Sequence, residues 1–343
     1  MTEKTEAGHS LDEIEATQMA LWLADANEDF EGKKRFLRAL TAKGETVEEV
    51  FAFAKTFRDL SRRVRGLTPP RVAIDIVGTG GDKSGTFNIS SAASLIVAAA
   101  GVKVMKHGNR SITSESGSAD FLSCIGVPVE VPDGRLVESL RQLDYCFFYA
   151  PAFHPTYKAF MPVRKALAAE GLKTVFNILG PLINPASPPM YLLGVFSAHW
   201  VPLLAAVLAR LGVRRGLVCH CVLREGGGGL DELATAGVNL VCGVGELAGV
   251  RGEWHPGDFG LEPRSREELL GGDPDENRAL FGRVLDGTAP RGLMETIAFN
   301  AGAALWVCGR VPTVREGVLL ASGLLADGSV RSYADRLRAF YAA

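Results

Sequence analysis

The sequence predicts an α/β fold, with a helical N-terminal domain followed by a larger domain on a mainly parallel sheet. Three observations carry this. Residues 1–70 place apolar side chains at helical spacing and end in Gly66-Leu67-Thr68-Pro69-Pro70, where two prolines cannot continue a helix. From Val72 the pattern changes to short β-branched runs, each followed by a turn and an apolar helical stretch, the repeating unit of a parallel sheet. From about Asp275 the chain reads as mainly helical again.

In the helical part, Ser10 with Glu13 three residues on forms a capping box before the first apolar-periodic run. Phe36, Leu37 and Leu40 share one face of a second helix that stops at Gly44. Thr46 and Glu49 repeat the capping box ahead of Val47, Val50, Phe51 and Ala54. The sheet opens with the strand Val72–Val77 and the glycine-rich loop Gly78–Asp82. Asn88 begins an Ala-rich helix that ends at Gly101, and Val102–Met105 forms the next strand. Further strands fit Val127–Val131, Tyr145–Tyr149, Tyr191–Phe196, Gly216–His220 and Asn239–Cys242. Residues 155–170 read as a helix leaving the sheet and leading into the turn-rich loop Asn177–Pro185. No internal repeat is visible, and Gly226–Gly229 is the one low-complexity run.

Composition narrows the function classes. The 343 residues are 47% hydrophobic, enough for a sizeable core. Lys+Arg 37 against Asp+Glu 39 leaves a formal charge of -2, so no basic excess exists to hold a nucleic acid. Arg58, Arg62, Arg63 and Arg65 fall at an expected helix C-terminus, where cations complement the dipole. The six cysteines lack C-x-x-C spacing and fit free thiols in a reducing compartment. His220, between Cys219 and Cys221, faces away from both on a strand, which argues against a metal site there. MTEKTEAGHS has no apolar core of a signal peptide, and the stretch Ala92–Val102 falls short of the roughly 18 residues of a membrane span. A cytoplasmic protein without membrane or nucleic-acid partners is expected.

Four segments carry candidate chemistry. Gly78-Thr79-Gly80-Gly81-Asp82 lets backbone N–H groups approach an anion, and Thr86, Asn88, Ser90 and Ser91 follow at a helix N-terminus. Alone, this loop reads equally as a tight turn or a phosphate cradle, and it matches neither the P-loop nor the dinucleotide fingerprint. After the next strand comes Lys106-His107-Gly108-Asn109-Arg110, continuing through Ser114, Glu115 and Ser118 to Asp120. This is either a polar surface loop or a second anion site; two such loops on neighbouring strands favour a ligand with several phosphates. Asp231-Glu232 fits a Mg²⁺ pair beside a pyrophosphate, or the acidic first turn of a helix. Arg164 fits a bidentate partner for an acceptor carboxylate, or a surface charge.

In order along nearly the whole chain, Gly78–Asp82, Asn88–Ser91, Lys106–Asp120, His154–Arg164, Phe176–Pro185 and Leu230–Glu232 resemble the anthranilate phosphoribosyltransferase family of glycosyltransferases. Gly272-Asp273-Pro274, Glu276-Asn277 and Asn300–Leu305 fit the same pattern. The resemblance implies a small helical domain, residues 1–70 joined by 155–189, hinged on an α/β domain of residues 71–154 and 190–343. It also implies a homodimer formed through the helical parts. It implies transfer of phosphoribose from phosphoribosyl pyrophosphate to the amine of anthranilate, a step of tryptophan biosynthesis, with no essential side-chain nucleophile or base. Donor binding would fall to Gly78, Gly81, Asp82, Thr86, Asn88, Ser90, Ser91, Lys106, His107, Gly108, Asn109, Arg110, Ser114 and Ser118. Anthranilate would meet Gly78, His107, Asn109, Arg164, Gly180 and Pro181, and Ser90, Asp231 and Glu232 would organise Mg²⁺. Glu115 departs from the pattern by placing a carboxylate where pyrophosphate should lie, so it is expected to face solvent or pair with Arg110. Ala168–Gly171 and His220–Gly227 look like short insertions that reshape access. The rivals are a pyrimidine nucleoside phosphorylase, a non-catalytic nucleic-acid-binding relative, and a transferase for another aromatic acid.

Overall fold

The structure, a computed structural model, describes residues 1–26, 29–110, 116–224 and 227–342. Four helices come first: Thr2–Glu6 (α1), Glu13–Ala24 (α2), Phe30–Lys43 (α3) and Val47–Asp59 (α4). The capping box at Thr46 and Glu49 forms as expected. The one expected at Ser10 and Glu13 forms two residues later, where Asp12 and Glu15 exchange hydrogen bonds of 2.9 Å. Leu11 decides the shift. It is buried and its N–H donates to Glu49 Oε1 at 2.9 Å, so the helix cannot start before it.

The sheet segment runs Ala73–Gly78 (β1), Ile89–Ala99 (α5), Lys103–Gly108 (β2), Ser118–Cys124 (α6), Asp133–Leu143 (α7), Tyr145–Tyr149 (β3) and Ala150–Phe153 (α8). Tyr157–Ala169 (α9) and Phe176–Leu179 (α10) leave it before Met190–Gly194 (β4), Trp200–Arg210 (α11), Arg215–Leu223 (β5), Gly229–Leu230 (β6), Gly237–Gly245 (β7) and Arg251–Trp254 (β8). Pro274–Leu285 (α12), Arg291–Val307 (α13), Val314–Ala326 (α14) and Ser329–Ala342 (α15) complete the chain. Val127–Val131 is not a strand. Val127 and Val129 are buried, but Pro128 and Pro132 remove the donors a ladder would need.

The eight-stranded sheet has the order β3-β2-β1-β4-β5-β7-β8, with β6 pairing β5. From β3 to β5 every neighbouring pair is parallel; β7 and β8 continue antiparallel. Side chains alternate between two cores, as strand geometry requires. Ile74, Ile76, Met190 and Leu192 pack with α5, α6 and α12–α15, while Val77, Tyr191 and Leu193 pack with α2–α4 and α9–α11. The chain moves outward from β1 to β2 and β3, then returns to β4 on the other side of β1. Open α/β sheets bind ligands at the carboxyl ends of strands beside such a reversal.

Candidate active site

Gly78, Gly108 and Gly194 end β1, β2 and β4 at that crevice. The loop after β1 and the loop after β6 interlock there. Gly80 N–H donates to Asp231 Oδ2 at 2.6 Å, and Asp231 N–H donates to Asp82 Oδ2 at 3.3 Å. Glu232 Oε1 accepts from the N–H of Ser90, in the first turn of α5, at 3.2 Å. The acidic pair therefore sits in an irregular loop, not in the first turn of a helix. Missing side chains make room for it: a Cβ on Gly194 would lie 1.6 Å from the Asp231 carbonyl oxygen, and one on Gly78 would lie 2.3 Å from Asp231 Oδ2. Asn300 clamps the far end, accepting from Leu233 N–H at 3.2 Å and donating to its carbonyl at 2.7 Å.

Electrostatics make this cluster hungry for a cation. Burial, together with the Asp82 and Glu232 carboxylates, pushes Asp231 well above the usual carboxylate range. Burial pushes Glu232 up to about 7, opposed by Lys106. Lys106 is only 1% exposed; its ammonium donates to the Ile76 carbonyl and reaches Ser90 Oγ at 3.5 Å. The phosphate-binding point charge read from the sequence is thus a buried one, and burial lowers its pKa against the pull of Asp75, Glu232 and Asp231. Among the described residues no group of three His, Cys, Asp or Glu side chains forms a metal cage. Two carboxylates completed by water and phosphate oxygens are instead the donor set Mg²⁺ favours.

The other expected donor residues divide. Asn88 bonds Ser116 twice, Nδ2 donating to the carbonyl and Oδ1 accepting from Oγ, each at 3.1 Å. Thr86 Oγ1 lies 2.9 Å from Ser84 Oγ, and Ser118 Oγ donates to the Asn109 carbonyl at 3.4 Å. Ser91 is buried and withdrawn from solvent. Arg110 pairs with Asp120 at 2.9 Å. Ser114 and Glu115 lie outside the described residues, and so does the start of the loop that joins Arg110 to Ser116.

On the acceptor side, His107 and Gly180 come together: His107 Nδ1 lies 3.1 Å from the Gly180 carbonyl. A carbonyl accepts only, so Nδ1 carries the proton and Nε2 is a lone pair. That lone pair accepts from His154 Nε2–H at 3.2 Å, which leaves His154 Nδ1 as an acceptor. It has no partner among the described residues, and neither do the buried Thr156 Oγ1 and Tyr157 hydroxyl. Burial holds His107 well below its ordinary pKa and His154 at about 4, so both rings are neutral. The charge of Arg164 acts on Tyr157, and no ion pair or hydrogen bond among the described residues engages Arg164.

Three supporting residues escaped the sequence reading. Asp75, fully buried in β1, accepts from His107 N–H at 3.2 Å and Asn184 Nδ2 at 2.8 Å. Burial raises its carboxyl to about 6, opposed by Lys106. Asn184 also donates to the Met105 carbonyl at 2.8 Å, tying the Gly180 loop to β2. Lys173 donates to the Gly81 carbonyl at 2.8 Å and lies 3.7 Å from the Phe196 ring centroid. A charge inside the apolar run Ala73–Val77 was the only available signal, and it pointed to Asp75 alone.

Residues 71–331 match the glycosyl transferase family, a/b domain. An anthranilate phosphoribosyltransferase of Xanthomonas campestris is 43% identical over 304 residues, covering 89% of this chain and 85% of that protein. This chain belongs to the anthranilate phosphoribosyltransferase family. The same family in Rubrobacter xylanophilus is 38% identical over 97% of this chain and 94% of its own length. The crystal structure of the Thermus thermophilus anthranilate phosphoribosyltransferase superimposes with a TM-score of 0.90 at 40% identity, covering 100% of this chain and 99% of that one. The Saccharomyces cerevisiae family member in complex with PRPP and Mg gives a TM-score of 0.85 at 26% identity, covering 99% and 96%. The family resemblance and the α/β fold read from the motifs are borne out.

Proposed function

We infer that the chain is a transferase that moves phosphoribose from phosphoribosyl pyrophosphate to the amine of anthranilate, releasing pyrophosphate, in tryptophan biosynthesis. One observation carries the reading: the glycine-rich loop and the acidic loop are locked together by the 2.6 Å bond from Gly80 N–H to Asp231. That bond puts anion-binding backbone and cation-binding carboxylates at one place, as a magnesium pyrophosphate requires.

We further propose the roles of the side chains. Ser90, Asp231 and Glu232 would hold Mg²⁺, and the residues from Gly78 to Ser91 and from Lys106 to Ser118 named above would hold the donor. When bound, the metal supplies charge neutralisation for the departing pyrophosphate. Lys106 adds a fixed positive charge beneath the site, and N–H groups of the glycine-rich loop add dipoles that need no reorganisation. The ribose C1–oxygen bond breaks toward pyrophosphate, the amine nitrogen bonds C1, and the amine's proton leaves to solvent. Neutral His107 and His154, with Asn109, Gly180 and Pro181, would shape the acceptor pocket, and Arg164 would pair with the anthranilate carboxylate. Orientation of the amine against C1 then supplies the rest of the acceleration.

The helical part, residues 1–70 with 155–189, would carry the acceptor side on a hinge to residues 71–154 and 190–343. Ile14, Leu21 and Phe30, exposed at 71%, 48% and 40%, would meet a second copy to give a homodimer. Among the described residues no helix is long and apolar enough to cross a membrane, which accords with work in the cytoplasm. The test is turnover with phosphoribosyl pyrophosphate, Mg²⁺ and a panel of aromatic amines. Anthranilate should be consumed fastest; consumption of another aromatic acid at a higher kcat/KM would change the acceptor, and none at all would sink the reading.

A further inference from the structure

Residues 266–277 brace the donor loop from outside. Arg266 Nη2 donates to the Ser84 carbonyl at 2.6 Å, and Thr86 pairs antiparallel with Leu270. Gly271 N–H donates to the Gly85 carbonyl and Phe87 N–H to the Leu269 carbonyl, both at 2.9 Å. The two backbones run so close that a Cβ on Gly271 would lie 2.7 Å from Phe87 Cα. This segment contains Gly272-Asp273-Pro274 and Glu276-Asn277, a motif to which no role has been attached so far.

Asn277, in the second turn of α12, is 1% exposed and points back toward the helix start, as helical side chains do. Its Oδ1 accepts from Gly272 N–H at 3.0 Å, which fixes the orientation of the amide. Nδ2 must then face the Gly272 carbonyl and Asn88 Oδ1, and it donates to each at 3.0 Å. Because Asn277 presents a donor, Asn88 can present only its oxygen. That leaves Asn88 Nδ2 to reach the Ser116 carbonyl, at the end of the loop from Arg110. The orientations are set in turn: a backbone N–H sets Asn277, Asn277 sets Asn88, and Asn88 sets Ser116.

We propose that Asn277 is a positioning residue of the donor site, orienting Asn88 so that the loop after β1 and the loop after β2 are held at the spacing a pyrophosphate spans. The proposal rests on the donor reading above. Asn277 touches neither substrate; it acts through Asn88. In Asn277→Asp the shape and the bond from Gly272 N–H survive, but an oxygen now faces both the Gly272 carbonyl and Asn88 Oδ1. Relief by flipping Asn88 would set its oxygen against the Ser116 carbonyl, so one of the two bonds is lost either way.

The test is a cycle on the full chain, with binding of inorganic pyrophosphate in Mg²⁺ read by calorimetry for the parent, Asn277→Ala, Asn277→Asp, Asn88→Ala and the Asn88→Ala/Asn277→Ala double variant. Both Asn277 variants should weaken binding about five- to tenfold, the size expected for losing the one hydrogen bond that orients Asn88; the bonds to Gly272 do not reach the donor site. The double variant should be no more than about twofold weaker than Asn88→Ala, because residues acting as a unit are not additive. In turnover, donor KM should rise while acceptor KM stays within about twofold. Losses that multiply in the double variant, an equal rise in acceptor KM, or a loss in Asn277→Asp alone would overturn the proposal; the last would indict the new charge. A parent that binds pyrophosphate with the expected pattern yet transfers to no amine would overturn the transferase reading and leave the role of Asn277 standing.

Discussion

The backbone nitrogen of Gly80 donates to Asp231 Oδ2 at 2.6 Å, across 151 residues of sequence, and so the acidic loop is seated in the glycine-rich loop. Three carboxylates, Asp82, Asp231 and Glu232, are thereby brought within electrostatic reach in a buried place. Such a cluster costs stability and is tolerable because a cation is to arrive. Replacing Asp231 with Asn and Glu232 with Gln should therefore cut turnover by about a hundredfold or more, since the metal supplies several kcal/mol of charge stabilisation. The metal-free variant should unfold at or above the parent's temperature. A calorimetric scan and one assay check both, and near-normal activity would remove the metal assignment.

The same charges make the effect of metal depend on pH. Glu232 titrates at about 7 in the folded chain against an ordinary 4.5. Between those values the metal-free folded protein holds a proton that the unfolded chain has released, so its stability falls as pH rises through this window. Mg²⁺ needs the ionised form. The rise in melting temperature caused by a fixed Mg²⁺ concentration should be small at pH 5.5 and several degrees larger at pH 8. A rise that is equal at both values would show that Glu232 is not a ligand.

Glycine substitutions separate folding from function. Gly194→Ala places a methyl 1.6 Å from a backbone oxygen of Asp231, which cannot swing away. It should destabilise the fold by about 1–3 kcal/mol or more, the usual cost of overpacking. Gly78→Ala meets chiefly the Asp231 carboxylate, with Oδ2 at 2.3 Å, and has the Asp231 carbonyl oxygen 3.2 Å away, a far milder backbone clash. It should lower the unfolding temperature less than Gly194→Ala does, because the carboxylate gives way at the cost of its bond to Gly80 N–H, and should weaken Mg²⁺ and donor binding. Equal melting temperatures for the two variants would contradict the packing.

How far the sequence reached can be seen at single residues. Thr46 and Glu49 announced their helix because a capping box is local, needing only four neighbouring positions. Ser10 met the same rule and lost to Asp12, because the deciding contact was Leu11 on Glu49, far along the chain. Val127–Val131 alternated like a strand, yet pairing depends on N–H groups that its prolines lack. At the site, glycines, hydroxyls and carboxylates in short strings were legible by type. Asp75, Asn184 and Lys173 were not, because each does its work on a backbone group that only folding brings near. The burial of Lys106 was hidden for the same reason: its position after a strand marks the crevice but not whether the ammonium points into it or beneath it.

Arg164 offers the sharpest test of the acceptor. Its guanidinium has no ion pair or hydrogen bond among the described residues, and its charge acts on Tyr157, whose buried hydroxyl also lacks a partner. Buried polar atoms without partners are costly, and a carboxylate bound to Arg164 beside such a group gains more than one at an open surface. Arg164→Ala should raise the acceptor's KM by on the order of ten- to a hundredfold, the loss of a charge-assisted hydrogen bond, with little change in donor KM. Arg164→Lys should recover only part of this, because an ammonium cannot form the bidentate pair. Aniline, which lacks the carboxylate, should be a poor acceptor for the parent and no worse for Arg164→Ala. If aniline and anthranilate lose equally, Arg164 serves the fold of α9 or the donor site, and the carboxylate must find its cation elsewhere.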